Sequence, residues 1–322
     1  MSRRASWLVL SILALVLVGG CSPGWPAMRV GDEIIVAGQM FHTGTRVVTY
    51  LEPRGYNAYR CYNHFDASKT MPSNPADKDN PNRYSPTRRD LADDVKAGVD
   101  EQGWTLENLR QQVDLFVIHY DVCGTSAQCF YVLHDARGLS VHFMLDLDGT
   151  VYQTLDLAER AWHAGTANDR SVGVEIAHWG AFTSADQAKE GYACDKSGWP
   201  YVTFPESFSR RELLTPSFTA RPARKDIIEG AINGRVRYQY DFTNEQYAAL
   251  IKLTATLHRV LPRIELAVPR GPDGRVIPDV LPDEQFKTFH GLVGHWHVIK
   301  EKQDPGPAFD WDRVLTGARW AI

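Results

Sequence analysis

The sequence lacks several features that would define a protein class at once. Its 322 residues contain no long basic run, and the formal net charge of −4 argues against a nucleic-acid-binding protein. It has no Cys-x-x-Cys pair of the kind that holds structural zinc, and no internal repeat. With 43% hydrophobic residues, the composition is that of a folded globular chain, long enough for one large domain or two small ones.

The sequence also lacks an apolar run long enough to span a bilayer comfortably. Two arginines precede an apolar stretch, Trp7 to Val18, which has the layout of a secretory signal. The stretch leads to Cys21 and resembles a bacterial lipobox, in which this cysteine is acylated; a plain cleaved signal is the alternative. We therefore predict a lipoprotein signal peptide over residues 1–20 and a membrane anchor at Cys21. Ser22, in place of aspartate, indicates the outer membrane of a bacterial cell envelope, with the protein facing the periplasm.

Cysteine is scarce in the remaining chain. Apart from Cys21, four cysteines are present, and an even number in an exported protein indicates two disulfides. Four cysteines allow three pairings. The spacing of Cys123 and Cys129 is one that a short loop leading into a helix closes, which leaves Cys61 to pair with Cys194 across a long range.

Hydrophobic patterning divides the chain into an N-terminal extension and a main domain. Residues 21–89 contain short strand-like runs, including Glu33–Val36, and end in a linker rich in proline and asparagine. Residues 90–322 alternate predicted strands with predicted helices, which is typical of an α/β fold with a central mixed β-sheet flanked by helices. A long aromatic and charged insertion occupies about residues 180–241, and its Asn233-Gly234 turn indicates an inserted hairpin.

Three residues with metal-binding side chains draw attention to one end of the predicted sheet. His119 stands at the C-terminal end of a predicted strand, where ligands bind in α/β proteins, although a lone histidine there is more often structural. The segment from Gly294 to Trp311 adds His295 and Asp304, and the three together would form a zinc site with a fourth position open for water. His297 competes with His295, because residues two apart on a strand face the same way.

Six short motifs occur in one order between about Asp114 and Trp311. They are Val117-Ile-His119, Cys123 to Cys129, Ser140-Val-His-Phe143 with Asp148-Gly149, Ala161-Trp-His-Ala-Gly165, Ser171-Val-Gly-Val-Glu175, and Gly294-His295 with Lys302-Gln-Asp-Pro-Gly-Pro307. In this order they resemble the type-2 N-acetylmuramoyl-L-alanine amidases, a group that includes the peptidoglycan recognition proteins and amidase-type phage lysozymes. The resemblance implies a zinc hydrolase that cleaves the amide bond between N-acetylmuramic acid and L-alanine in peptidoglycan.

The resemblance also assigns the metal ligands. His119 and His295 match the two histidine ligands of the family, and Asp304 matches the third ligand. His297 then falls at a non-ligand position. The short cysteine loop is similar to a disulfide of the recognition proteins, which supports its predicted pairing.

Two further residues match the catalytic groups of the family. Glu175 matches the acidic residue that handles the water, and its alternation with Val174 and Ile176 independently places it off the apolar face of its strand. A solvated strand glutamate is the alternative. Lys302 matches a lysine that stabilises the oxyanion, although taken alone it would be a surface lysine.

The substrate side of the site is matched less completely. Trp162 and His163 match a substrate-binding position, with a structural role as the alternative for His163. Val141 stands where many members have tyrosine, and Tyr120 stands where a second histidine is common. The loss of the tyrosine at position 141 shifts the expected chemistry to Glu175 and Lys302. Structural roles are predicted for three other histidines: His134, His142 and His178.

Two alternative functions remain open at the level of sequence. One is a peptidoglycan-binding module without hydrolysis, like those recognition proteins that lack a metal ligand. The other is a zinc peptidase that cuts within the stem peptide. Retention of all three ligands and of Glu175 favours the amidase over the binding module, and product analysis separates the amidase from the peptidase.

Overall fold

The computed structural model describes residues 29–66, 68–69 and 82–322. The predicted signal peptide and Cys21 lie outside the described residues, as does most of the predicted linker. The described residues from Gly31 to Ile322 fold as one unit. Within the described part of the chain, no helix is long and apolar enough to cross a membrane.

Short strands alternate with helices along the chain. The strands are β1 (Glu33–Val36), β2 (Gln39–His42), β3 (Val47–Thr49), β4 (Tyr84–Ser85), β5 (Leu115–Tyr120), β6 (Phe143–Leu145), β7 (Val151–Gln153), β8 (Arg160–Ala161), β9 (Ser171–Ile176), β10 (Tyr192–Cys194), β11 (Pro200–Val202), β12 (Ile228–Ile232), β13 (Arg235–Gln239) and β14 (Gly291–Gly294). The helices are α1 (Asp93–Gln102), α2 (Leu106–Gln112), α3 (Ser126–Phe130), α4 (Ala185–Lys189), α5 (Asn244–Val260), α6 (Asp283–Thr288), α7 (His295–Val298) and α8 (Trp311–Ala321), with a π-helical turn at Tyr131–Ala136 and a 3-10 turn at Gly165–Asp169.

A six-stranded mixed sheet with the order β14-β5-β9-β6-β7-β3 forms the centre of the fold. β14, β5, β9 and β6 are parallel neighbours, β7 runs antiparallel to β6, and β3 pairs parallel with β7. Every residue of β5 is buried, as expected for a parallel strand that is covered on both faces. The predicted α/β fold with a central mixed sheet is confirmed.

Helix α5 covers part of the sheet and begins at a capping box. The Thr243 hydroxyl accepts a hydrogen bond from the Gln246 backbone N–H at 3.0 Å, and the Gln246 side chain accepts one from the Thr243 N–H at 2.9 Å. Leu250, Leu253 and Leu257, spaced three and four residues apart, are at most 1% exposed. Burying each leucine contributes roughly 1.5–3 kcal/mol, so packing against the core holds this helix in place.

The described part of the N-terminal extension packs against the main domain. β1 and β2 form a hairpin, β3 joins the edge of the sheet, and β4 pairs with β8. The buried Gln153 side chain donates to the Ile35 carbonyl and accepts from the Ile35 N–H, both at 2.7 Å. The extension is therefore tied to the sheet by strand pairing and by buried hydrogen bonds.

Two hairpins occur in the predicted insertion at about residues 180–241. β12 and β13 pair through the Asn233-Gly234 turn, in which both central residues have positive φ, 49° and 72°. This is the geometry for which an Asn-Gly pair is favoured in two-residue hairpins. β10 and β11 form the second hairpin. The hairpin expected at Asn233-Gly234 is confirmed.

Candidate metal centre and active site

Three adjacent parallel strands deliver the candidate site to one edge of the sheet. His119 lies near the C-terminal end of β5, and Glu175 is its register partner on β9. On the other side of β5, Gly294 of β14 pairs with Ile118, so the next residue, His295, also reaches this edge. The carboxyl ends of parallel strands are where α/β proteins assemble their sites.

The side chains of His119, His295 and Asp304 converge on one point. His119 Nδ1 lies 2.8 Å from Asp304 Oδ2, His295 Nδ1 lies 2.9 Å from the same oxygen, and the two nitrogens are 3.0 Å apart. All three residues are buried. The fold therefore brings the three residues predicted as zinc ligands together from positions up to 185 residues apart.

The chemistry of this donor set fits a metal ion. The two imidazole nitrogens are 3.0 Å apart, so they cannot both point a proton at each other. The Asp304 carboxylate carries no proton. A cation bound between the three atoms would accept a lone pair from each of them. Tetrahedral zinc with bonds of about 2.0–2.2 Å needs roughly 3.4 Å between ligand atoms. The observed separations of 2.8 to 3.0 Å are somewhat shorter, so the ligands would move slightly apart to hold zinc. Of the described residues, His119, His295 and Asp304 form one of the clusters whose ligand atoms lie within 4.8 Å of one another.

Electrostatics keep His119 and Asp304 in their metal-binding forms. Burial and the neighbouring His295 lower the pKa of His119 to about 4, so its imidazole is neutral at pH 7. Burial tends to raise the pKa of Asp304, but the two imidazoles, His295 foremost, outweigh burial and hold that pKa far below its usual range. A neutral imidazole and a charged carboxylate are the forms that coordinate metal.

A hydrogen-bond chain behind His119 fixes the orientation of its ring. His119 Nε2 lies 2.9 Å from His163 Nδ1, and His163 Nε2 lies 3.3 Å from the Ser171 hydroxyl. With the proton of His119 on Nε2, its Nδ1 lone pair faces the cluster. Gly173 makes room for the His163 ring, since a Cβ at this position would lie 2.5 Å from it. His163, a predicted substrate-binding residue, thus also contacts His119, one of the predicted metal ligands.

His297 does not join the cluster, because α7 begins at His295. Residues two apart on a helix point in different directions, unlike the alternation on a strand from which the competition between the two histidines was inferred. Both ring nitrogens of His297 are used elsewhere: Nδ1 accepts from the Gly294 N–H at 2.9 Å, and Nε2 lies 2.7 Å from the Ile277 carbonyl. The structure brings His295, and not His297, to Asp304.

Glu175 lies beside the cluster in an environment that opposes its charge. Burial, followed by repulsion from Asp304 and Asp121, raises the pKa of Glu175 well above its usual value, and Lys302 acts in the opposite direction. Its Oε2 atom is buried and has no hydrogen-bond partner among the described residues. A carboxylate held in this way is suited to accepting a proton.

Two clefts meet at this site. The first, called here the Glu175 cleft, has a volume of about 190 Å³, and the second, the Arg89 cleft, has a volume of about 380 Å³. Lys302 is exposed and lines both clefts. The other residues that line both clefts are Leu139, Trp162, His163 and His295. These shared residues connect the two clefts beside the ligand cluster.

A family model described as N-acetylmuramoyl-L-alanine amidase matches residues 109–307. The chain belongs to this amidase family. The matched segment contains all three residues of the metal cluster together with Glu175 and Lys302. The resemblance inferred from the six motifs is thus confirmed, and the protein is an enzyme of the amidase class.

Solved amidase structures are similar to this chain only at low identity. A selenomethionine derivative of AmpD is 18% identical, with 65% of this chain and 86% of that chain covered and a TM-score of 0.32. AmiD from E. coli, in complex with anhydro-N-acetylmuramic acid-L-Ala-D-gamma-Glu-L-Lys, is also 18% identical, with coverages of 64% and 57% and a TM-score of 0.35. The endolysin LysCS from Clostridium intestinale URNW is 16% identical, with coverages of 66% and 86% and a TM-score of 0.35. No curated protein matches the sequence.

Sequence reasoning missed one half-buried acid that lines the Glu175 cleft, Asp121. Its Oδ1 atom accepts backbone hydrogen bonds from Cys123, Gly124 and His178 at 2.8, 3.2 and 3.0 Å. Burial raises the pKa of Asp121 to about 7 despite these bonds. The available signal was its position immediately after β5, where a polar residue follows a buried strand. Asp121 organises the loop that lines the Glu175 cleft.

The long-range disulfide predicted between Cys61 and Cys194 is not formed in the structure. Both residues are exposed free thiols. Cys61 Sγ lies 3.4 Å from the Asn82 side chain, in the N-terminal extension, whereas Cys194 is paired with Pro200 in the β10–β11 hairpin. The pairing was inferred by elimination, and elimination carries no information about which loops the fold brings together.

The second predicted pair, Cys123 and Cys129, is in close proximity. The structure carries both as free, buried thiols, whose sulfur atoms lie within 4.8 Å of each other and of the Asp121 carboxylate. Both residues line the Glu175 cleft. A disulfide between them stays a prediction.

The three histidines predicted to be structural have partners away from the metal cluster. His134 pairs with Asp135 at 2.7 Å, and His178 lies 3.0 Å from the Tyr240 carbonyl. His142 lies 3.0 Å from the Glu159 carbonyl and accepts from the Gly173 N–H at 3.2 Å. These contacts are those of core histidines.

Proposed function

We propose that this amidase uses a zinc ion, held by His119, His295 and Asp304, to hydrolyse the amide bond between N-acetylmuramic acid and L-alanine in peptidoglycan. The observation that carries the proposal is the convergence of three ligand atoms within 3.0 Å of one another, directly beside the Glu175 carboxylate. When bound at such a site, zinc lowers the pKa of its water to about 7 and polarises a carbonyl oxygen.

Glu175 would act as the proton carrier. Its position opposite His119 in the sheet puts the carboxylate within reach of a water or a leaving nitrogen at the cluster. Burial, followed by repulsion from Asp304, raises the pKa of Glu175, and positive charge held by the cluster would offset that repulsion and favour the carboxylate that accepts a proton. It takes a proton from the attacking water and returns it to the leaving nitrogen.

Lys302 would stabilise the negative charge that develops on the substrate carbonyl oxygen. Its backbone N–H is held by the Ile299 carbonyl at 3.0 Å, while its side chain remains exposed where the two clefts meet. An ammonium group fixed near the reacting carbonyl favours the tetrahedral state over the ground state. Trp162 and His163, which line both clefts, would contact the substrate on either side of the scissile bond.

We further propose that the enzyme acts at the cell envelope as a lipoprotein, acylated at Cys21 and facing the peptidoglycan from the outer membrane. The support is the signal-like N-terminus and the lipobox that ends at Cys21. Membrane fractionation of cells that produce the full chain, compared with a Cys21→Ala variant, tests this part. Retention of the variant in the membrane fraction contradicts the anchor.

Product analysis by mass spectrometry tests the reaction. Digestion of solubilised peptidoglycan should release intact stem peptides with a free L-alanine amino group, and a chelator should stop the release until zinc is restored. Fragments cut within the stem peptide would instead indicate a peptidase. Binding of peptidoglycan without any release would indicate a recognition module.

A further inference from the structure

The segment from Arg83 to Arg89 forms part of the active-site wall. Its strand β4 pairs with β8, with Tyr84 opposite Ala161, and β8 leads directly into Trp162 and His163. The Ser140 hydroxyl connects this segment to Trp162, because it donates a hydrogen bond to the Arg83 carbonyl and accepts one from the Trp162 N–H. This segment precedes the region matched by the family model, which begins at residue 109.

A buried arginine anchors the end of this segment. Arg88 is 1% exposed, and its guanidinium donates to four backbone carbonyls at 2.8 to 3.0 Å. Four such charge-assisted hydrogen bonds hold Arg88 in one position and so fix the backbone around it. The carbonyls belong to Leu157, Glu159, Asn168 and Ser171.

The next residue, Arg89, is held by its backbone, which leaves its side chain exposed at the cleft. Its N–H donates to Asp169 Oδ1 at 2.6 Å. The Asp169 carboxylate is already paired with the Arg160 guanidinium at 2.6 and 3.0 Å. Arg89 has no carboxylate partner among the described residues, and it lines the Arg89 cleft together with Lys302.

We propose that Arg89 binds a free carboxylate of the peptidoglycan stem peptide and is a specificity-determining residue of the reaction. The proposal rests on the proposed function. Lys302 lines the Glu175 cleft together with Glu175 and Asp304 and would serve the scissile carbonyl. Of these two clefts, Arg89 lines only the second, so its charge is available for the acidic peptide. The guanidinium of Arg89 can bind a carboxylate through two parallel hydrogen bonds. Because the buried Arg88 fixes the neighbouring backbone, less conformational freedom is lost when Arg89 binds the substrate.

Paired substrates and variants test this inference. Hydrolysis rates would be measured for muropeptides that carry free carboxylates and for matched muropeptides in which single carboxylates are converted to carboxamides. For the parent enzyme, one such conversion should lower kcat/KM about tenfold, mainly through KM. The Arg89→Gln variant should show a kcat/KM about tenfold below that of the parent on the muropeptide with the free carboxylate. On the matched carboxamide, the variant and the parent should have the same kcat/KM. Arg89→Lys, which keeps the charge, should retain part of the discrimination.

Control measurements separate this inference from the proposed function. Arg275 has a side chain that is 88% exposed and lies outside both clefts, so Arg275→Gln should discriminate between the substrates as the parent does. If Arg89→Gln also discriminates like the parent, Arg89 does not bind the substrate, even though the enzyme is an amidase. If the parent cleaves neither type of muropeptide, the proposed function fails and the role of Arg89 fails with it.

Discussion

Replacement of Glu175 by glutamine tests the centre of the proposed reaction. The glutamine keeps the size of the side chain and leaves the three ligands unchanged, but it cannot accept a proton. A general acid–base group contributes about 10²- to 10⁴-fold, so the barrier should rise by roughly 3 to 5 kcal/mol. Since Oε2 has no hydrogen-bond partner among the described residues, the substitution breaks no buried hydrogen bond at that atom.

The assay is the release of stem peptide from solubilised peptidoglycan, followed by mass spectrometry, with zinc content determined for every sample. Glu175→Gln should retain zinc and bind peptidoglycan while its kcat falls by the stated factor. Glu229→Gln is a matched control, because Glu229 is an exposed strand glutamate on β12. If Glu175→Gln, loaded with zinc, hydrolyses within about threefold of the parent, a difference under roughly 1 kcal/mol, then Glu175 is not the proton carrier.

Three further predictions follow from the site and from the core. His295→Ala should abolish tight zinc binding and His297→Ala should spare it, as measured by titration with zinc and elemental analysis; the reverse result would show that the wrong imidazole was assigned. Burial raises the pKa of Asp146 to about 8, so between about pH 4 and pH 8 the folded state holds a proton that the unfolded state has released, and stability should fall as pH rises through this window. Asp146→Asn should reduce that pH dependence in urea unfolding, whereas the exposed Asp279→Asn should not; equal slopes for all three proteins would contradict the assignment. Peptide mapping of unreduced protein from the periplasm should find Cys123 joined to Cys129, and any other partner for Cys123 would refute the pairing.

Several elements of the fold could be predicted because their signals are local. The strand that ends near His119 and the Asn233-Gly234 turn each depend on neighbouring residues and were found where expected. The order of the six motifs likewise identified the family without any contact information. Each of these features depends on side-chain periodicity or turn chemistry over a few residues.

The choice between His295 and His297 was not a local matter. Alternation along a strand left both histidines available, and the onset of a helix at His295 turned His297 towards the Ile277 carbonyl. The pairing of Cys61 with Cys194 rests on elimination, which ignores where the two loops lie, and it stays a prediction. Neither question could be decided from spacing alone.

The amino-acid pattern alone thus established several strands, an inserted hairpin and the identity of the chemical groups. The folded chain was needed to show which of these groups meet. His119 contacts Asp304, 185 positions away. Arg88 is anchored in the core, which places the neighbouring Arg89 of the N-terminal extension in the wall of the cleft. The physical reason is that strand register and helix phase, which set where a side chain points, depend on packing between segments far apart in the chain. Local preferences decide the shape of a segment, whereas the burial of apolar faces against one another decides which side chains converge.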